Sequence, residues 1–255
     1  MTPDLAPAAL ANVLALDALW PVIATTTLAG VVYGFAGFGA ALVFLPVASS
    51  LIEPRLAIAA FSLSALSSLF TLVPRAWSEM DRKVTLAMTL TATLTLPVGI
   101  LLLKVLDPRA VQIAISVFAA LTLAILIAGF RFRVRPGLLP SVGVAGAAGV
   151  MGGATGLLGP VVILFNLSSG DDARRMRANT LIFLTLASLF VVPQMALQGL
   201  ISAEALWLGA VLFPAYGLGN IVGRGLFNPA HEGLYRYIAY AIIGASVLLG
   251  LPIFG

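Results

Sequence analysis

Residues Ala18 to Ile52 read ALWPVIATTTLAGVVYGFAGFGAALVFLPVASSLI, 35 positions without a charged side chain. As one continuous helix this stretch would measure about 52 Å, against a bilayer hydrocarbon core of about 30 Å. Its middle carries Gly30, Gly34, Gly37 and Gly39. The stretch is therefore predicted to break there and to fold back as a hairpin that enters and leaves by the same membrane face. Pro136 to Gly170 repeats the pattern: the same length, no charge, and Gly149, Gly152, Gly153, Gly156 and Gly159 at its centre.

Six further uncharged stretches are each the length of a single crossing: Leu56 to Pro74, Val84 to Leu103, Ala110 to Phe130, Ala178 to Ala203, Ala205 to Gly223 and Tyr237 to Gly255. Hydrophobic residues make up 60% of the 255 and charged ones 9%, where a soluble domain carries about 25% charged. The chain is thus expected to be an all-α integral membrane protein. The absence of cysteine excludes disulfides, thiolate metal sites and cysteine nucleophiles. Net charge is +4, and every basic residue lies between apolar stretches, which fits membrane orientation and not nucleic-acid binding. Met1-Thr2-Pro3-Asp4 lacks the basic start of a signal peptide, so no cleavage is expected.

The positive-inside rule separates the hairpin reading from a straight-through one. If each long stretch crosses once, the 14 basic residues divide eight against six. With hairpins, eleven of them, including Arg75, Arg82, Arg131, Arg174, Arg175, Arg177 and Arg224, share one side, and only Arg55, Lys104 and Arg109 face the other. The hairpin reading places both termini outside.

The halves also resemble each other. Leu66-Ser67-Ser68-Leu69-Phe70 returns 120 positions later as Leu186-Ala187-Ser188-Leu189-Phe190, and Gly30, Gly34 and Gly37 match Gly149, Gly153 and Gly156 at an offset of 119. Pro97, Gly99, Lys104 and Pro108 match Pro214, Gly217, Arg224 and Pro229. Residues 1–135 and 136–255 each read as a Gly-broken hairpin followed by three transmembrane helices. An odd number of crossings turns the second copy upside down, the inverted-repeat plan of secondary transporters. The two glycine-rich tips are expected to meet near the midplane.

In order and duplication these elements resemble the TauE/SafE family of sulfite and organosulfonate exporters. The resemblance is carried by Gly30-xxx-Gly34-xx-Gly37-x-Gly39 leading to Leu45-Pro46, by its echo from Gly149 to Gly159, by Arg177-Ala178-Asn179-Thr180-Leu181, and by the proline–glycine pairs of both halves. Gly37-Phe38-Gly39-Ala40-Ala41 departs from the family's usual Gly-x-Gly-Gly-Gly. The resemblance implies alternating-access export of a small sulfur-containing anion from a bacterial cytoplasmic membrane. Another small anion, a metabolite or a cation on the same architecture is the alternative.

Glycine tips can present bare backbone N–H groups, and a half-helix starting after a tip adds roughly half an elementary positive charge. Gly37, Phe38, Gly39, Gly156 and Gly159 are accordingly candidate substrate contacts; the alternative is that the glycines only let helices pack closely. Ser62, Asn179, Thr180, Gln194 and Asn220 are candidates to complete the anion's shell, with interhelical hydrogen bonding as their alternative. Arg174, Arg175 and Arg177 are read as topology determinants that also steer anions to the cytoplasmic mouth, and Lys104 and Arg224 as snorkelling side chains. His231 reads as a loop residue. No ionisable residue is expected deep in a span, so export is expected to run on membrane potential, worth about 2.3 kcal/mol per charge per 100 mV, with coupling through the substrate's own proton or a sodium site of backbone carbonyls as the alternative. No cofactor, metal or nucleotide is implied, an intramembrane enzyme is disfavoured, and the partners are the anion and the lipid bilayer, with a homo-oligomer left open.

Overall fold

The structure, a computed structural model, describes residues 5–129, 137–166, 173–226 and 232–251. His231 and the far ends of the second hairpin and the last span lie outside the described residues. Every regular element within them is helical: α1 (Leu5–Leu14), α2 (Leu19–Ala36), α3 (Ala40–Leu51), α4 (Pro54–Ala65), α5 (Ser68–Thr71), α6 (Val73–Ala76), α7 (Arg82–Val105), α8 (Pro108–Ile127), α9 (Leu138–Thr155), α10 (Gly159–Asn166), α11 (Ala173–Leu197), α12 (Ala203–Leu226) and α13 (Glu232–Gly250). Among the described residues eight segments are long and apolar enough to cross a membrane, and the chain is a multi-pass helical membrane protein.

Both long stretches break where glycine takes the left-handed backbone. Gly37, at φ 80°, caps α2 and donates its N–H to the Tyr33 carbonyl; Gly39, at φ 90°, opens α3. Gly156, at φ 75°, caps α9 in the same way, bonding Gly152. An L-residue pays steric energy in this region and glycine does not. The first limbs, α2 and α9, have 18 residues each, about 27 Å, and are long enough to cross. Their return limbs are shorter, twelve residues in α3.

Helices α4, α7, α8, α11, α12 and α13 begin ahead of their charge-free stretches, because charged residues at those ends join the first turn. Asp81 caps α7 by accepting from the Val84 N–H, so Arg82 and Lys83 become its first turn. Asp107 accepts from Arg109 ahead of α8. The stretch Leu56 to Pro74, expected as one crossing helix, is broken at Leu66–Ser67 and again at Leu72. Two features account for the break. Ser64 turns its hydroxyl onto the Phe61 carbonyl, and Pro74 has no N–H to offer Phe70.

Two glycine seams hold the bundle. A Cβ at Gly30 would lie 2.5 Å from the Tyr216 carbonyl oxygen, and one at Gly219 2.3 Å from that of Thr27, so α2 and α12 touch backbone to backbone. At the other seam a Cβ at Gly99 would lie 2.0 Å from the Val150 oxygen and one at Gly153 2.5 Å from that of Leu96, joining α7 to α9. In each seam the first limb of one hairpin packs on a span from the other half of the chain. The two seams repeat one contact pattern: Gly30 and Gly34 meet the carbonyls of Tyr216 and Asn220, and their counterparts Gly149 and Gly153 meet those of Ala92 and Leu96, in each case 124 positions earlier.

Candidate functional site

Both hairpin tips border one cavity of about 40 Å³, room for roughly three water molecules or one small ion. Phe38, Gly39, Ala40, Ala41 and Leu42 line it from the first tip, and Gly156, Leu158, Gly159, Pro160 and Ile163 from the second. None of its lining residues is charged. A methyl at Gly159 would meet Leu184 at 3.8 Å, ordinary van der Waals contact, and so would fit without displacing a neighbour.

The tips are not equivalent donors. Helix α3 starts with no side-chain cap, and the N–H groups of its first turn, Ala40, Ala41 and Leu42, have no partner within the helix. All three residues border the cavity. Helix α10 starts Gly159-Pro160, and proline removes one of its donors. Hairpin one therefore brings the stronger partial positive charge.

Hydroxyls complete the wall: Tyr33, Ser68, Thr185, Ser188 and Tyr216. The Tyr33 hydroxyl donates to the Leu181 carbonyl at 3.0 Å and lies 3.2 Å from Thr185 Oγ1. Tyr216 is fully buried, tilted against Tyr33 at 6.1 Å and edge-on to Phe61 at 5.8 Å between ring centroids. Reasoning from sequence missed these hydroxyls. Ser68 and Ser188 carried a signal, since they sit in the repeated Leu-x-Ser-Leu-Phe element; Tyr33, Thr185 and Tyr216 carried none.

Of the residues expected to contact substrate, the structure brings Phe38, Gly39, Gly156 and Gly159 to the cavity. Gly37 lies beside it, beneath the Arg177 side chain; a Cβ there would stand 2.5 Å from Arg177 Cγ. The polar candidates sit elsewhere. Ser62 donates to the Ile58 carbonyl of its own helix. Asn179 Oδ1 accepts from the Asp81 N–H and the Thr85 hydroxyl, bracing the start of α7. Thr180 accepts from Asn166 and donates to Met176. Gln194 Nε2 donates at 2.9 Å to the Thr93 carbonyl, the group that Pro97 leaves without its helical donor. Asn220, fully buried, donates to the hydroxyls of Ser68 and Thr71 and so stands one residue behind the cavity wall. The glycines divide between both readings: Gly30, Gly34, Gly149 and Gly153 serve close packing, and Gly37, Gly39 and Gly156 shape the tips.

Three basic residues depart from expectation. Arg177 reaches inward from the start of α11, half-buried, and its guanidinium donates to the Gly34 carbonyl. A cation therefore does touch a hairpin, because the long side chain extends past its helix end. Lys104 and Arg224 do not simply snorkel. Lys104 donates to the Gln198 carbonyl beyond α11, and Arg224 to the Thr71 carbonyl closing α5, each neutralising the negative end of a helix in the opposite half. Arg174 and Arg175 are exposed.

A bundle of membrane-crossing helices enclosing a small uncharged cavity between two broken hairpins has the architecture of a membrane transporter. Residues 22–249 match the family model described as sulfite exporter TauE/SafE. The chain belongs to that family, and it is a transporter, not an enzyme. No curated protein and no solved structure matches it.

Proposed function

We propose that the protein exports a small sulfur-containing anion, sulfite or an organosulfonate, across a bacterial cytoplasmic membrane, driven by membrane potential, with both termini outside. The observation that carries this reading is the cavity: uncharged walls, the α3 first-turn donors of Ala40, Ala41 and Leu42, and five hydroxyls around a volume fit for one small ion. An anion held by backbone dipoles and hydroxyls gives up little when it leaves, because no fixed opposite charge has to be separated from it.

Alternating access in this proposal is a movement of one half of the chain against the other. The reciprocal seams, α2 on α12 and α9 on α7, support an inverted repeat, and so does the cross-half capping by Lys104 and Arg224. Proteoliposomes loaded with sulfite and given a potassium diffusion potential test the reading. Efflux is expected to rise with an inside-negative voltage; cation-only flux, or sulfite efflux blind to voltage, would refute it.

A further inference from the structure

A second cavity, of about 190 Å³, lies on the arginine-rich side and is lined by Arg75, Arg174, Arg177, Arg224, Glu79 and Leu181 among others. Four guanidiniums face one carboxylate. One layer of residues separates it from the central cavity. Leu181 faces this vestibule and its carbonyl holds the Tyr33 hydroxyl, whereas Tyr33 and Thr185 line the central cavity. Arg177 lies in the same layer, bonded to the Gly34 carbonyl and covering Gly37.

We infer that the vestibule is a second binding site for a small oxyanion, in line with the first, and that Arg177 is the latch between them. Guanidinium pairs with an oxyanion through parallel charge-assisted bonds, each stronger than a bond to a neutral carbonyl such as that of Gly34. An anion resting among Arg75, Arg174 and Arg224 therefore competes with Gly34 for Arg177. When it wins, the Arg177 methylenes leave Gly37, and the first tip, with its α3 donors, is free to move. Loading the vestibule thus releases the tip that must open to admit the ion. The inference rests on the proposed anionic substrate only for the ion's identity; the site itself is read from its arginines.

Two measurements on the purified full-length protein test it without transport. The first is calorimetric titration with sodium sulfite in phosphatidylcholine nanodiscs, at about 0.01 M and about 1 M ionic strength, where the screening length falls from about 30 Å to about 3 Å. Arg75→Gln with Arg174→Gln leaves Arg177 and Arg224 in place and should weaken one low-salt binding event about tenfold. Gly39→Ala, altered at the central cavity, should keep that event. An unchanged titration in the arginine double variant, or equal loss in both proteins, would overturn the site. Should the double variant not fold, Glu79→Gln must bind sulfite more tightly at low salt, and unchanged affinity there also overturns it. Repeating the titration with phosphatidylglycerol in the discs identifies the source of the oxyanion: abolished sulfite binding would give the vestibule to a lipid headgroup and overturn a site for a free ion. The second measurement is hydrogen exchange over residues 33–42. Sulfite should speed exchange there in the native protein, Arg177→Gln should be fast without it, and no change in either would overturn the latch. Normal sulfite flux with no vestibule titration would strike this inference alone. A normal vestibule titration with no flux would strike only the exporter reading.

Discussion

Replacing Gly39 with alanine isolates the tip from the rest of the bundle. Gly39 holds φ 90° and ψ −10°, a conformation that costs an alanine roughly 1–3 kcal/mol. Packing adds little to this cost. The new methyl would stand 3.3 Å from Ile243 Cδ1 and 3.4 Å from Val32 Cγ1, both side-chain ends able to yield by a few tenths of an ångström. The strain is relieved if the turn relaxes out of the left-handed region, but relaxation re-aims the N–H groups of Ala40, Ala41 and Leu42 away from the cavity. If binding absorbs the whole cost, the KM for sulfite efflux rises about fivefold to 150-fold. The assay is concentration-dependent efflux from proteoliposomes, paired with thermal unfolding to catch any share of the cost that the fold retains. Gly143→Ala is the control: no atom lies within 4 Å of its added methyl, and alanine is the better helix former by up to about 1 kcal/mol. Wild-type KM and wild-type melting together in Gly39→Ala would refute the assignment of the tip as a strained binding element.

Three further outcomes follow from the packing. Gly223→Ala places a methyl 2.1 Å from the Val31 carbonyl, so α2 must leave α12; little folded protein should survive detergent extraction, judged by size-exclusion chromatography. Gln194→Leu strips the Thr93 carbonyl of its donor and should lower stability by about 1–3 kcal/mol with KM unchanged. Adding Pro97→Ala, which restores a backbone N–H to that carbonyl, should recover most of the loss, a coupling read from a double-mutant thermal cycle. Leucine at Gly156 would force its Cβ to within 2.7 Å of Leu45 and 3.1 Å of Ile58 on top of a positive φ. It should therefore abolish flux with a clear fall in melting temperature, whereas Gly37→Leu, whose Cβ first meets the flexible Arg177 side chain, should abolish flux with a smaller one.

The sequence by itself determined the membrane class, the two broken hairpins and the place of each break. Apolar length and the distribution of arginine are properties of the linear chain, and the left-handed turn is a local demand that glycine meets wherever it stands. Gly37, Gly39 and Gly156 were legible for that reason. Only the tertiary structure decided which polar side chains face the cavity. In an apolar bundle the lipid side and the packed side of a helix look alike in sequence, so rotation about the helix axis leaves no hydrophobic pattern to read. Asn179 and Gln194 looked like ligands and instead brace backbone groups that a cap and a proline leave exposed. Tyr33, Thr185 and Tyr216 carried no signal of a site and border the cavity, because α2, α11 and α12 turn those faces inward. The reach of Arg177 to Gly34, 143 positions away in the chain, depends on a seam of backbone contacts that only the folded bundle creates.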